Sequence, residues 1–141
     1  MPWSLLIVED NEETAALLSG NFQAKGVDVR TALNGAAGVE QARTRPPDVM
    51  LLDFNLPDMT GVDVYNELLK DPLTAVIPVV FLSSTLLGMI KRMVTDNPRV
   101  RFLKKPCGMP EIEKCVYELL ALPKTAPPPA PPPPGPAAGP A

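Results

Sequence analysis

Histidine is absent from this 141-residue chain, and cysteine occurs only twice. Without histidine, the chain cannot supply a Ser-His-Asp triad, a histidine-ligated zinc site or a phosphohistidine of its own. The spacing of Cys107 and Cys115 matches no common zinc motif. We interpret both residues as thiols in a reducing compartment and therefore expect a cytoplasmic location.

The sequence also lacks a strong charge of either sign and any long hydrophobic run. Its formal net charge is −3, which provides no basic footprint for nucleic acid and no polybasic stretch for a membrane surface. No stretch approaches the ~20 apolar residues that a membrane-spanning helix needs. The first residues lack the positive region of a secretory signal. We therefore expect no nucleic-acid or membrane binding by this chain.

Proline is abundant, but its distribution is uneven. Residues 1–122 carry nearly all the apolar and charged side chains, which is sufficient for one domain with a hydrophobic core. Residues 123–141 contain ten prolines and a single charged residue, Lys124. Such a composition cannot bury apolar surface. We expect a folded domain over 1–122 and a disordered Pro/Ala-rich tail or linker over 123–141.

Strand-like and helix-like segments alternate within residues 1–122. Continuous apolar runs, typical of strands buried on both faces, occur at 5–8, 49–52 and 79–82. The stretch 27–32 alternates apolar and polar residues, as an outer strand does, and 100–103 is a fifth strand candidate. This alternation predicts parallel β-α units in an α/β fold, a three-layer α/β/α sandwich.

Helical spacing of apolar residues marks the segments between these strands. One helix is expected to follow a capping Asn34, with Ala36, Val39 and Ala42 on its inner face. The last helix is expected to begin near Pro110, since proline fits the first turn of a helix. Functional groups in such folds gather at the carboxyl ends of the strands.

Polar residues that could bind a ligand or take part in a reaction follow the predicted strands. They are Glu9 and Asp10, Asp53, Ser83, and Lys105. Taken singly, each is an ordinary turn, cap or surface residue, but all are expected at one edge of the sheet. Clustered carboxylates need a cation, and an all-oxygen cluster suits Mg²⁺. A carboxylate can also act as a nucleophile that forms an acyl phosphate.

These residues lie in motifs that resemble the response-regulator receiver domain of two-component signalling. The motifs are LLIVEDN at 5–11, DFNLPDMTG at 53–61, PVVFLSS at 78–84 and FLKKP at 102–106. The resemblance covers residues 4–122 and implies a flavodoxin-like sheet of five parallel strands in the order 2-1-3-4-5. It also implies a cis peptide bond before Pro106.

The resemblance implies a role for each residue of the site. Asp53 is the expected phosphoryl acceptor, with Lys105 and Ser83 as its catalytic partners. The expected Mg²⁺ ligands are Asp10, Asp53, the backbone carbonyl of Asn55 and, through water, Glu9. Ser83 and Phe102 occupy the positions of the switch residues.

The expected function is a signalling switch and not an enzyme acting on a separate substrate. A sensor histidine kinase or phosphotransfer protein would donate the phosphoryl group, and a downstream output protein or domain would respond. The apolar segment 86–94, predicted to form a helix, has more apolar residues than one helix face can bury. It is interpreted equally well as core or as a partner surface, and a homodimer through it and the fifth strand is one expected use.

Three other functions deserve comparison. A pseudo-receiver would use the same fold only for protein interaction. A phosphohydrolase would need a second acid where this chain has Asn55. A flavin carrier would bind a phosphate at the loop after the first strand, but residues 9–13 there are acidic and would repel it. The pseudo-receiver is the main alternative.

Overall fold

The computed structural model describes residues 3–84, 99–105 and 107–121. Three expectations concern residues outside these ranges and stay predictions. They are the helix within the apolar segment 86–94, the cis bond before Pro106, and the disordered tail at 123–141.

The described residues contain five strands and four helices. The strands are β1 (Ser4–Val8), β2 (Asp28–Ala32), β3 (Val49–Asp53), β4 (Val79–Ser83) and β5 (Val100–Lys104). The helices are α1 (Glu12–Gln23), α2 (Gly35–Thr44), α3 (Gly61–Leu69) and α4 (Met109–Leu120). Across these ranges, no helix has the length and apolar character needed to cross a membrane.

The strands form one parallel sheet in the order β2-β1-β3-β4-β5. This confirms the predicted flavodoxin-like order. The strands β1, β3 and β4 are buried almost throughout, whereas β2 at the edge has mostly exposed or half-buried residues and only Ala32 is buried. The sequence pattern distinguished these two kinds of strand because a central strand is covered on both faces.

Helices cover both faces of the sheet, so the molecule has three layers. On one face, Leu6, Met50 and Leu52 pack with residues of α2 and α3. On the other face, Leu5 and Leu51 pack with residues of α1 and α4. Side chains of neighbouring strand residues point to opposite faces, which is why each buried strand supplies both cores.

The start of α2 differs from the prediction in one respect. Asn34 caps the helix as expected, its Oδ1 accepting the Ala37 N–H at 2.8 Å, and Val39 and Ala42 are buried. Ala36, however, is exposed, and the prediction that it lies on the inner face is wrong. The inner face uses Gly38 instead, where a Cβ atom would lie 2.8 Å from Cγ2 of Val8. The backbone of α2 therefore approaches β1 more closely than a side chain would permit.

Candidate functional site

Three carboxylates meet at the carboxyl edge of the sheet. Glu9 and Asp10 follow β1, and Asp53 is the last residue of β3. One carboxylate oxygen from each lies within 4.8 Å of the others. Glu9 and Asp53 are only 3% and 4% exposed, whereas Asp10 is open to solvent. The cluster therefore has two buried carboxylates and one side that is open to solvent.

Asp10 does not cap α1, so its carboxylate can belong to this cluster. The residue that caps the helix is Asn11, whose Oδ1 accepts the Thr14 N–H at 2.9 Å. Asn11 also donates its own backbone N–H to Oε2 of Glu9 at 3.1 Å. One residue thus begins the helix and orients a member of the cluster.

Lys105 joins the carboxylates from the opposite side. Its Nζ lies 3.0 Å from Oε1 of Glu9 and 3.3 Å from Oδ1 of Asp53. Its backbone N–H donates to the Ser83 carbonyl at 2.8 Å, which fixes the residue to the end of β4. Burial acts to lower the pKa of Lys105, but the hydrogen bond that its ammonium donates to Glu9 and the negative charge of Asp53 outweigh burial and raise that pKa. The side chain is an ammonium at any physiological pH.

The carboxyl group of Asp53 ionises less readily than usual. Burial and then the negative charge of Glu9 raise its pKa from 3.8 to about 6, and Lys105 and the Asn55 N–H oppose that shift only in part. Lys105 offsets one of three negative charges. Because the donor set is entirely oxygen, the pocket fits a hard divalent cation such as Mg²⁺ better than a softer metal.

We expect Asp53 to lower the free energy of unfolding as pH rises from about 4 to about 6 without divalent metal, because it ionises later in the folded chain than in the unfolded one. The unfolded state loses its proton first, so the folded state loses relative stability through this window. Asp53→Asn removes the penalty and should stabilise the metal-free protein at pH 7 by about 1–2 kcal/mol.

Urea denaturation of both proteins in EDTA, repeated across this pH range, measures the effect. Asp28→Asn is the control, since it removes an exposed carboxylate of β2 that pairs with Arg45 and should therefore not raise stability. Equal stability of Asp53→Asn and the wild type at pH 7 would contradict the expected electrostatic penalty.

The loop after Asp53 is closed on itself. The Gly61 N–H donates to the Phe54 carbonyl at 2.7 Å, and Asn55 forms an antiparallel bridge with Thr60. A Cβ atom on Gly61 would lie 2.7 Å from the Asp53 carbonyl oxygen, so only glycine permits this close approach. The loop therefore holds the backbone of Asn55 next to Asp53.

The two predicted switch residues lie on neighbouring strands. Ser83 is fully buried at the end of β4, one residue beyond Leu82, which pairs with Asp53. Phe102 in β5 is half-buried, and its ring stacks on Phe81 with centroids 5.5 Å apart. Ser83 lies at the same edge of the sheet as Lys105, whereas Phe102 is at the middle of β5 and packs against the core.

Sequence reasoning missed one residue near the site, Asp58. Its carboxylate accepts the N–H groups of Gly35 and Ala36 at 2.8 and 2.9 Å. These partners are 23 and 22 residues away in sequence, so no local pattern links them. The only available signal was that the first N–H groups of any helix need acceptors.

An open cavity of about 580 Å³ adjoins the site between α1 and α4. Its lining includes Leu17 and Leu18 from α1, Met109 and Ile112 from α4, and Lys105. Leu17 is largely exposed. Apolar side chains and Lys105 therefore share one concave surface.

The sequence matches the family described as response regulator receiver domain over residues 5–117. The chain belongs to this family. It is 36% identical over 107 residues to the transcriptional regulatory protein KdpE of Mycobacterium tuberculosis, covering 76% of this chain and 46% of KdpE. It is 28% identical to the polar-differentiation response regulator DivK of Brucella anthropi, covering 85% of this chain and 98% of DivK. The chain thus spans about half the length of KdpE but nearly all of DivK.

Solved structures agree with this assignment. A putative response regulator from Chloroflexus aurantiacus matches with a TM-score of 0.76 and 26% identity, covering 86% of this chain and all of the other. The signal receiver domain of a histidine kinase from Syntrophus aciditrophicus matches with a TM-score of 0.74 and 26% identity, covering 84% and 90%.

Membership in this family gives the general function. Receiver domains are signalling regulators that switch on phosphorylation, and they are not enzymes in the usual sense. They bind Mg²⁺ at an acidic pocket, and the cluster of Glu9, Asp10 and Asp53 has the corresponding chemistry. Response regulators interact with histidine kinases and with output domains.

Proposed function

We propose that this chain is a phosphorylation-dependent switch in which Asp53 accepts a phosphoryl group from a histidine kinase or phosphotransfer protein. The observation that carries the proposal is the ion pair between Lys105 and Asp53, formed 3.3 Å apart inside the acidic cluster. A carboxylate used only for structure would not need two further carboxylates beside it. An acidic pocket that also holds an ammonium is suited to a phosphoryl group, whose oxygens require cations around them.

In the proposed transfer, a carboxylate oxygen of Asp53 attacks the phosphorus atom of a phosphohistidine. The new O–P bond forms as the N–P bond breaks, and the histidine nitrogen leaves with the electron pair. The pKa of Asp53 near 6 leaves the carboxylate ionised at neutral pH, as a nucleophile requires. The acceptor therefore needs no separate base.

The residues proposed to hold Mg²⁺ are Asp10, Asp53 and the backbone carbonyl of Asn55, with Glu9 acting through water. When bound, the ion neutralises charge on the transferred phosphoryl group. Glu9 is held by Lys105 and Asn11, and Asn55 by its bridge to Thr60. These contacts orient two of the proposed ligands.

Lys105 and Ser83 are proposed to bind the phosphoryl oxygens. The ammonium contacts Oδ1 of Asp53. It could therefore also pair with the negatively charged oxygens of a phosphoryl group bound to that carboxylate. The Ser83 hydroxyl would donate to another phosphoryl oxygen, and Phe102 would respond by changing the surface of β5. The Phe81–Phe102 stack is the contact that this response would have to alter.

The cavity between α1 and α4 is proposed as the entry for the donor protein. Its apolar lining and the exposed Leu17 suit the side chains of a protein surface, and Lys105 is one of its lining residues. A downstream output protein or domain would bind elsewhere and respond to the switch. The homodimer and the role of the apolar segment 86–94 remain proposals of the same kind, as does a cytoplasmic location.

A mass measurement tests the proposed function against the pseudo-receiver. Incubation of the wild-type chain with acetyl phosphate and Mg²⁺ should add the mass of one phosphoryl group, and excess EDTA should prevent the gain. A protein that stays unmodified with Mg²⁺ present would support a pseudo-receiver used only for binding.

A further inference from the structure

Asp58 connects the loop at residues 54–61, here called the acceptor loop, to α2. Its Oδ1 accepts the Gly35 N–H at 2.8 Å, and its Oδ2 accepts the Ala36 N–H at 2.9 Å. The first N–H groups of a helix have no partner within the helix. Asn34 accepts a third such group, that of Ala37. The start of α2 is thus held by one local residue and one residue of the acceptor loop.

The side chain of Met59 also connects the acceptor loop to α2, by packing. Met59 follows Asp58 and packs against the core cluster below α2 and α3. A Cβ atom on Gly35 would lie 2.4 Å from Cγ of Met59, so the helix backbone and the loop are in close contact. The N–H groups of Ala36 and Gly35 also hold the pKa of Asp58 below its usual value, so its carboxylate stays ionised.

The acceptor loop connects α2 to the candidate metal site. Its base is fixed by the bond from Gly61 to the Phe54 carbonyl and by the bridge between Asn55 and Thr60. Its tip, at Asp58, is fixed to α2. Asn55 is part of this base and lies three residues before Asp58, so a shift of the tip can reach its backbone through Leu56 and Pro57.

We propose that Asp58 is a positioning residue that holds the Asn55 carbonyl in place for Mg²⁺ by fixing the tip of the acceptor loop to α2. The inference rests on the proposed metal site. It adds that the start of α2 contributes to the affinity of that site for Mg²⁺. Because the interaction is reciprocal, Mg²⁺ binding also changes the environment of the Gly35 and Ala36 N–H groups.

Calorimetric titration with Mg²⁺ tests the proposal on four full-length proteins, the wild type and the variants Asp58→Ala, Asp58→Asn and Asn34→Ala. Asp58→Ala should bind Mg²⁺ roughly tenfold more weakly, the low end of the effect of residues that support a metal ligand. Asp58→Asn should recover part of the loss, since its amide oxygen still accepts one N–H. Asn34→Ala removes a cap from the same helix without touching the loop, and should bind Mg²⁺ as the wild type does.

Amide NMR spectra give a second readout. The Gly35 and Ala36 signals should shift on addition of Mg²⁺ in the wild type and in Asn34→Ala, and should not respond in Asp58→Ala. Equal losses of affinity in Asp58→Ala and Asn34→Ala would show that Asp58 is only a helix cap. Wild-type affinity in both Asp58 variants would overturn this inference alone. Absence of Mg²⁺ binding in the wild type would overturn the proposed function together with it.

Discussion

Asp53→Asn should abolish phosphoryl uptake while leaving the fold intact. The amide nitrogen and oxygen carry no negative charge, so the side chain cannot act as the nucleophile. Asn has nearly the same shape, and its oxygen can still accept a bond from Lys105, so packing at the end of β3 should be preserved. Intact mass spectrometry after treatment with acetyl phosphate and Mg²⁺ measures the loss directly.

Asp28→Asn is the matched control for this experiment. It makes the same chemical change at an exposed position of β2, where Asp28 pairs with Arg45. Its mass gain should equal that of the wild type. An equal gain in Asp53→Asn would show that another residue is the acceptor, and the proposed role of Asp53 would then be wrong.

Asp10→Asn should weaken Mg²⁺ binding by roughly 100-fold. Loss of a residue that only supports a metal ligand weakens binding by about 10- to 100-fold, and loss of a ligand should cost at least as much. Asp10 is the exposed carboxylate of the cluster and so the one most accessible to an arriving ion. Its replacement removes both a ligand oxygen and a unit of negative charge. Calorimetric titration of the two proteins with Mg²⁺ provides the comparison.

Glu12→Gln separates these two contributions. Glu12 is an exposed residue in the first turn of α1, two positions beyond Asp10 and outside the cluster. It loses the same charge but no ligand, so its Mg²⁺ affinity should change by less than about threefold at moderate salt. Similar losses in both variants would indicate general electrostatic attraction, without a ligand at Asp10.

The sequence predicted most of the framework because the fold rests on repeated local patterns. Apolar runs identified the three buried strands, and the alternation at 27–32 identified the edge strand. Residues that follow those strands necessarily approach one another, since parallel strands end at the same edge of the sheet. This is why the sequence alone predicts that Glu9, Asp10 and Asp53 lie together.

Contacts made by backbone atoms escaped the sequence analysis. Ala36 was assigned to the inner face of α2 because the spacing of apolar side chains cannot detect the buried Gly38. Asp58 escaped for a related reason, since its partners are two backbone N–H groups on a distant helix. Any residue has a backbone N–H group, so its use leaves no mark in the sequence.

The measurement that tests the central claim most directly is the location of the phosphoryl group in the wild-type chain. Borohydride reduces an acyl phosphate on aspartate to homoserine, a stable mark that survives digestion and peptide sequencing by mass spectrometry. After treatment with acetyl phosphate and Mg²⁺, homoserine should be found at position 53. Homoserine at another aspartate, or a phosphorylated protein with unmodified Asp53, would contradict the account.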